Sequence, residues 1–299
     1  MIDGREARIA VGGDGTFAAD RLLDEAAAAL GSVGVPTPRV DAELLLAWAT
    51  DTSRGAVQAR ALTGGAIAGA HVERFRQAVA RRRTREPLQH ITGEAYFRAL
   101  TLAVGPGVFV PRPETEGVVQ FGIDALRGTA VPAPVAVDLG SGSGAIAIAM
   151  DTEVPNAVVY AVERSPAALP WTRRNVEAHG GTVRLVEGDL ADALPELDGT
   201  VSVVVSNPPY VPDDAVPVDP EVRDHDPAMA LYGGPDGLDA VRALAETAWR
   251  LLVPGGVLVV EHAEPQGAGV REVLAARGFR SPETHVDLTG RDRTTTATR

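Results

Sequence analysis

Cysteine is absent from the 299 residues. That excludes disulfides, thiolate metal sites and cysteine nucleophiles together, and it fits a reducing compartment. No apolar run approaches the roughly 18 residues that a membrane span needs. The nearest, Leu251 to Val260, is interrupted by Pro254-Gly255-Gly256. The opening residues, Met1-Ile2-Asp3-Gly4-Arg5-Glu6, are charged and have no apolar core, unlike a secretory signal. A soluble, cytoplasmic, monomeric protein without a membrane partner is therefore expected. The six histidines are scattered without ligand spacing, so no metal is expected. Basic residues are outnumbered 28 to 40, a net charge of −12. Gripping a phosphate backbone usually takes basic surface, which lowers the expectation of a direct nucleic-acid substrate.

What remains is an ordinary globular composition, 45% hydrophobic and 23% charged. From Asp20 to about Arg85 the pattern is helical. Asp20 is placed to cap a helix through Leu22, Leu23, Ala26, Ala27 and Leu30 that Gly31 stops. A turn at Gly34-Val35-Pro36-Thr37-Pro38 precedes a second helix with Asp41, Leu44, Leu45, Leu46 and Trp48. A third sets Val72, Phe75 and Val79 on one face. The basic run Arg81-Arg82-Arg83 with Arg85 reads as a solvated helix end, and Trp171 and Trp249 read as packing residues. Between Tyr96 and Val110 the period drops to two, with Gly105-Pro106-Gly107 turning into Val108-Phe109-Val110, a β-hairpin. Beyond it strands and helices alternate, the mark of a parallel sheet covered on both faces. The strands expected are Val135–Leu139, Val158–Val162, Val183–Glu187, Val201–Ser206 and Val257–Glu261. The stretch from Glu283 to Thr298 adds two more, one of them an antiparallel edge. The divisions expected are a loose extension over 1–17, a helical substrate-recognition domain over 18–94, a hairpin linker over 95–111 and a catalytic domain over 112–299.

The first of these strands runs into Asp138-Leu139-Gly140-Ser141-Gly142-Ser143-Gly144, followed by the small-residue helix Ala145-Ile146-Ala147-Ile148-Ala149. Glycines let backbone approach a ligand closely, and the helix start offers free N–H donors. Glu163 ends the second strand, placed to accept from a ribose. Gly188-Asp189-Leu190 ends the third, where an adenine would lie, since ligands bind at the carboxyl ends of such strands. Gly140-x-Gly142-x-x-Ala145 with Glu163 also satisfies a dinucleotide fingerprint. Two features favour S-adenosylmethionine instead. Asp138 answers a cationic amino group where it would repel a pyrophosphate, and no hydride-transfer constellation follows.

The fourth strand leads into Asn207-Pro208-Pro209-Tyr210. Two prolines fix the backbone and remove two donors, leaving carbonyls to accept. The side-chain oxygen of Asn207 and the carbonyl of Pro208 then suit both hydrogens of an –NH2 group, with Tyr210 stacking on a planar acceptor. A nitrogen whose lone pair is delocalised attacks a methyl group poorly. Acceptors that aim it and strengthen as positive charge develops answer that need. The residues alone leave open whether the nitrogen belongs to a base or an amide.

The chain resembles the glutamine-N5 methyltransferases that modify peptide chain release factors, the PrmC/HemK family, over nearly its whole length. Asp41-Ala42-Glu43-Leu44-Leu45-Leu46 resembles that family's helical domain, and Glu86-Pro87-Leu88-Gln89-His90-Ile91-Thr92-Gly93-Glu94 its linker entry. Phe109-Val110-Pro111-Arg112-Pro113-Glu114-Thr115-Glu116 is the most specific match. Glu221-Val222-Arg223-Asp224-His225-Asp226-Pro227 and Ala230-Leu231-Tyr232-Gly233-Gly234-Pro235-Asp236-Gly237-Leu238 are implied to border the substrate pocket. The resemblance implies a mostly parallel, doubly wound seven-stranded methyltransferase sheet, S-adenosylmethionine as cofactor and a release-factor glutamine as acceptor. By it, Gly140, Ser141, Gly142, Ser143, Gly144, Glu163, Leu190 and Asn207 contact the cofactor, with Asp138 and Asp189 beside them. Asn207, Pro208, Pro209, Tyr210 and Arg112 face the substrate. Glu163 stands where an aspartate is common, and Leu190 where some members carry an aromatic. Glutamine methyltransferases of a ribosomal protein and amino methyltransferases of nucleic acids share the Asn-Pro-Pro-Tyr motif. The Pro-Glu-Thr-Glu run and the acidic charge favour the release factor.

Overall fold

A computed structural model describes residues 16–299; the expected extension therefore falls outside the described residues except for Thr16 and Phe17. The chain divides into two compact units, 1–92 and 93–299.

The first unit contains β1 (Thr16–Ala18), α1 (Ala19–Gly31), α2 (Pro38–Ala49), α3 (Arg54–Leu62), β2 (Ala66–Ala68), α4 (Gly69–Arg83) and α5 (Leu88–Thr92). Thr16 and Phe17 are strand residues rather than extension, because β1 pairs antiparallel with β2. Ala19, Leu22, Leu23, Ala26 and Leu30 lie on one buried face of α1, at helical spacing. Asp20 does not cap that helix; Ala18 holds the cap position and Asp20 sits in the first turn, where its charge suits the helix dipole. Arg82 departs from the solvated reading of its basic run. It is buried, and its Nε donates to Asp41 Oδ2 at 2.7 Å while Thr37 Oγ1 donates to Asp41 Oδ1 at 2.8 Å. Glu43 is likewise buried, accepting from Arg39, Arg54 and Gln58. The acidic residues of the Asp41–Leu46 segment thus serve internal ion pairs. Breaking one partner of such a buried pair is costly.

The second unit starts with β3 (Glu94–Phe97) and β4 (Leu100–Ala103), an antiparallel hairpin. It turns at Arg98-Ala99, ahead of the expected Gly105-Pro106-Gly107. Arg98 takes a left-handed φ of 53°. Its guanidinium is fastened to Glu153, Gln120 and the carbonyl of Glu116, which offsets the cost of that conformation. Gly105 and Gly107 instead let the chain pass close to other residues. A Cβ at Gly105 would lie 2.6 Å from the Trp171 ring, and one at Gly107 would lie 2.9 Å from Ala167.

There follow α6 (Pro113–Gly128), β5 (Val135–Leu139), α7 (Ala145–Glu153), β6 (Val158–Glu163), α8 (Leu169–Ala178), β7 (Arg184–Glu187), β8 (Val201–Ser206), α9 (Pro220–His225), α10 (Ala228–Leu231), α11 (Asp239–Leu251), β9 (Leu252–Glu261), α12 (Gly267–Arg277), β10 (Arg280–Val286) and β11 (Asp292–Thr298). The seven strands β5 to β11 form one sheet in the order β10-β11-β9-β8-β5-β6-β7. Strands β5 to β9 run parallel, and β11 pairs antiparallel with both β9 and β10. All six residues of β8 are buried, because helices cover both sheet faces. Val203 and Val205 pack with Val118, Ile123 and Ile148 on one face. Val204 packs with Leu244, Leu258 and Leu274 on the other. This is the doubly wound, mostly parallel architecture expected.

The order reverses between β5 and β8. The chain steps outward from β5 to β6 and β7, then returns to pair β8 on the opposite side of β5. At such a switch point the two following loops diverge, opening a crevice at the carboxyl ends of the strands.

Candidate active site

That crevice is a cavity of about 750 Å³. Of the residues expected at the site, Arg112, Gly140, Ser141, Gly142, Ser143, Glu163, Asp189, Leu190, Asn207, Pro209 and Tyr210 line it together. Asp138, Gly144 and Pro208 do not, and Asp138 and Pro208 are buried beside it.

The loop after β5 owes its shape to its glycines. Gly140, Gly142 and Gly144 all have positive φ, at 83°, 55° and 85°. A Cβ on Gly140 or Gly142 would meet no protein atom within 4 Å. One on Gly144 would press at 3.2 Å on Ile148 and Thr172, so its smallness serves packing. The amides of Gly140 and Ser141 both donate to the carbonyl of Val162 at 2.9 Å, stitching the loop to β6. Thr172 and Asn175 of α8 hold the carbonyls of Gly142 and Ser143 at 2.6 and 2.9 Å.

Glu163 closes the same loop. One carboxylate oxygen accepts from the Gly142 amide at 2.7 Å, and the other accepts from the Ser165 amide at 2.6 Å. A carboxylate retains further lone pairs, so these bonds leave acceptor capacity toward the cavity. The extra methylene relative to aspartate has a local use here: both oxygens reach backbone amides of different loops. Asp189 accepts from the Ala191 amide and from Arg164, which hold its carboxyl below the usual range.

Asp138 is fully buried under the glycine loop. Its Oδ2 accepts from the amide of Ala147 in the first turn of α7 at 3.2 Å, and its Oδ1 is without a partner. Burial pushes its carboxyl up to about 8, against the pull of that amide. Asp138 thus stands behind the loop and off the cavity wall. Protonated at neutral pH, it is a neutral group there, and a cation brought to the loop's other side would favour its ionised form.

Across the crevice, Ser206 donates to the carbonyl of Leu139 at 2.5 Å and ties β8 to the start of the glycine loop. Asn207 follows directly, and its Nδ2 donates to Thr115 Oγ1 at 3.3 Å. Thr115 in turn donates to Glu261 Oε2 at 2.7 Å. Burial pushes Glu261 up to about 7, while the Thr115 hydroxyl, the Arg293 charge and the Tyr210 hydroxyl hold it down. Burial, with the charge of Glu261, also raises Tyr210 well above its ordinary value, so its phenol stays neutral. Neither Thr115 nor Glu261 was expected at the site. The rule that strand carboxyl ends face the ligand was the available signal for Glu261, the last residue of β9.

The chain after Tyr210 is clamped by the glycine segment that follows α10. Val211 donates to the Leu231 carbonyl, and Gly233 donates to that of Val211, at 2.8 and 2.9 Å. A Cβ at Gly233 would meet Pro209 O at 2.4 Å, and one at Gly237 would meet Tyr210 O at 2.3 Å. Gln266 donates to the carbonyl of Tyr210 at 2.8 Å. Arg112 donates to the buried Asp226 at 2.6 Å and lies 5.0 Å from the Phe109 ring centroid. Burial raises the Asp226 carboxyl although Arg112 pulls it down. Among the described residues no group of His, Asp or Glu is arranged to hold a metal. No helix among them is long and apolar enough to cross a membrane.

Residues 21–93 match the PrmC N-terminal domain family, and residues 102–219 match the Methyltransferase small domain family. A release factor glutamine methyltransferase of Streptomyces coelicolor is 52% identical, over 92% of this chain and 97% of that protein. The chain belongs to the release factor glutamine methyltransferase family. A further member, from Mycolicibacterium smegmatis, is 45% identical over 93% of this chain and 96% of its own. A Streptomyces pristinaespiralis protein named 4-amino-L-phenylalanine/4-methylamino-L-phenylalanine methyltransferase is 43% identical, over 86% and 87%. Family members are methyl-transferring enzymes, and the glycine loop and Asn207 lie on one cavity as that chemistry requires.

Proposed function

We propose that the chain transfers a methyl group from S-adenosylmethionine to the side-chain amide nitrogen of the glutamine in the Gly-Gly-Gln loop of peptide chain release factors, in the cytoplasm. The observation that carries this reading is Asn207. It sits at the switch-point cavity with its amino group occupied by Thr115, so its carbonyl oxygen is the end available to an acceptor.

The residues fit the cofactor. Gly140 and Gly142 leave room for close approach, Glu163 offers acceptor capacity to a ribose, and the orphan oxygen of Asp138 suits a nearby ammonium. When bound, S-adenosylmethionine supplies a methyl group activated by a sulfonium charge. Asn207 Oδ1, on the cavity wall, would accept from the –NH2 group of the acceptor amide and orient its nitrogen. As positive charge develops on nitrogen that bond strengthens, which is where catalysis requires it. The neutral Tyr210 ring provides a planar wall. Transfer needs no obligatory base, since the proton is lost to water afterwards.

A protein acceptor also suits the rim. Val216, Val218 and Met229 line the cavity while 69%, 96% and 48% exposed, an apolar mouth unlike a phosphate-binding one. A free aryl amine is the second reading, favoured by the 4-amino-L-phenylalanine relative, because that nitrogen is also planar and delocalised. Labelled donor offered to a release factor, 4-amino-L-phenylalanine, a ribosomal protein and ribosomal RNA separates them. Label on the release factor is expected; label on RNA alone would sink the reading. Asn207→Ala should lose turnover by orders of magnitude while donor binding stays within roughly tenfold.

A further inference from the structure

Thr115 lies in the segment Pro113-Glu114-Thr115-Glu116, at the start of α6, and Glu261 closes β9. They are 146 residues apart, yet they meet in a chain that ends on Asn207. Both are buried, at 4% and 2% exposure. The strand register explains the meeting. Ser206 of β8 pairs with Val260 of β9, so the next residues, Asn207 and Glu261, emerge side by side at the carboxyl edge of the sheet. The start of α6 supplies Thr115 to join them.

A threonine hydroxyl has one proton and two lone pairs. Here the proton is directed to Glu261 Oε2 at 2.7 Å. What Thr115 then presents to Asn207 is a lone pair, 3.3 Å from Nδ2. Only the amino end of the Asn207 carboxamide satisfies a lone pair; its carbonyl end would face it as acceptor against acceptor. The two ends of an asparagine amide are nearly equal in shape, so the network decides which way the group points.

We infer that Thr115, oriented by Glu261, is a positioning residue that fixes the amide of Asn207 with its oxygen toward the acceptor. This rests on the reading of Asn207 as the acceptor-binding residue. It gives the Pro-Glu-Thr-Glu segment a task inside the chemistry rather than at a domain border. Without the hydroxyl, Asn207 can turn its amino group to the cavity, where it would meet an –NH2 acceptor donor against donor.

The test compares Thr115→Val, which keeps the shape and removes the hydroxyl, with Thr115→Ser, which keeps the hydroxyl. Turnover is measured on whichever planar-nitrogen acceptor the unmodified enzyme methylates, release factor or aryl amine. Failure with the release factor alone therefore counts against the proposed substrate and not against Thr115. Thr115→Val should lower kcat by about 10–100-fold, with donor Kd within about threefold, while Thr115→Ser stays within about threefold of the parent in kcat. The Asn207 side-chain amide resonances, assigned through Asn207→Asp, should shift in Thr115→Val and stay in place in Thr115→Ser. Parental kcat in Thr115→Val would overturn the inference. So would equal losses in the valine and serine variants, or a fall in donor binding matching the fall in kcat.

Discussion

Replacing Glu163 by glutamine changes one atom type and tests how the glycine loop is held. In the parent both carboxylate oxygens accept from backbone amides, Gly142 at 2.7 Å and Ser165 at 2.6 Å. Glutamine offers one oxygen and one amino group, so it can satisfy one of those donors and must turn an N–H toward the other. Glu163 is 7% exposed, which limits the water able to relieve that clash. A lost hydrogen bond to a charged group costs about 1.5–3 kcal/mol. If the cost falls on the loop's ligand-ready form, donor Kd rises by roughly 10–100-fold. Turnover at saturating donor should change little, because Asn207 and Thr115 stand on other elements. Calorimetric titration with S-adenosylmethionine measures the first quantity, and initial rates at saturation measure the second. A donor Kd within twofold of the parent would refute this account of the loop. So would a large loss of saturated turnover with binding intact, which would move Glu163 into the transfer step.

Asp138 titrates near 8 in the fold against about 3.9 in the unfolded chain. Between those values the native state holds more protons than the unfolded one, so this group's contribution to stability declines as pH rises from about 4 to 8. Asp138→Asn should flatten the fall of Tm up to about pH 8, most plainly between about pH 7 and 8, because Glu261, at about 7, maintains part of the slope at lower pH. An unchanged slope between about pH 7 and 8 would contradict the burial of a protonated carboxyl there. Gly237→Ala places a Cβ 2.3 Å from Tyr210 O at a φ of 74° and should cost about 2–4 kcal/mol in urea unfolding. Gly117→Ala, on the exposed side of α6 with no atom within 4 Å, should instead be neutral or stabilising by about 0.5–1 kcal/mol. Similar losses in both would mean the clamp behind Tyr210 is not tight.

The central sheet was legible because its strands are apolar on both faces and short, as β5 and β8 show. The pairing of the glycine loop with Asn207 was legible in the sequence, since strand ends converge at a switch point. The hairpin turn was misplaced for a local reason. Gly105-Pro106-Gly107 is a strong turn signal, whereas Arg98 turns the chain only with the help of Glu153, Gln120 and Glu116, distant in sequence. Trp171, read as packing, does pack against Gly105 and donates to the Pro106 carbonyl at 3.3 Å. Thr115 and Glu261 escaped because their partnership is purely tertiary, between a helix start and a strand end. Arg82 escaped likewise: a basic run carries no mark of the one member that turns inward to Asp41.

The most direct test of the account is to map the methyl group. A release factor is incubated with the enzyme and S-adenosylmethionine, digested, and its peptides sequenced by mass spectrometry. The prediction is one added methyl on the side-chain amide nitrogen of the Gly-Gly-Gln glutamine, absent when Asn207→Ala replaces the parent. A methyl on any other residue, or an unmodified glutamine beside methylated aryl amine or RNA, would contradict it.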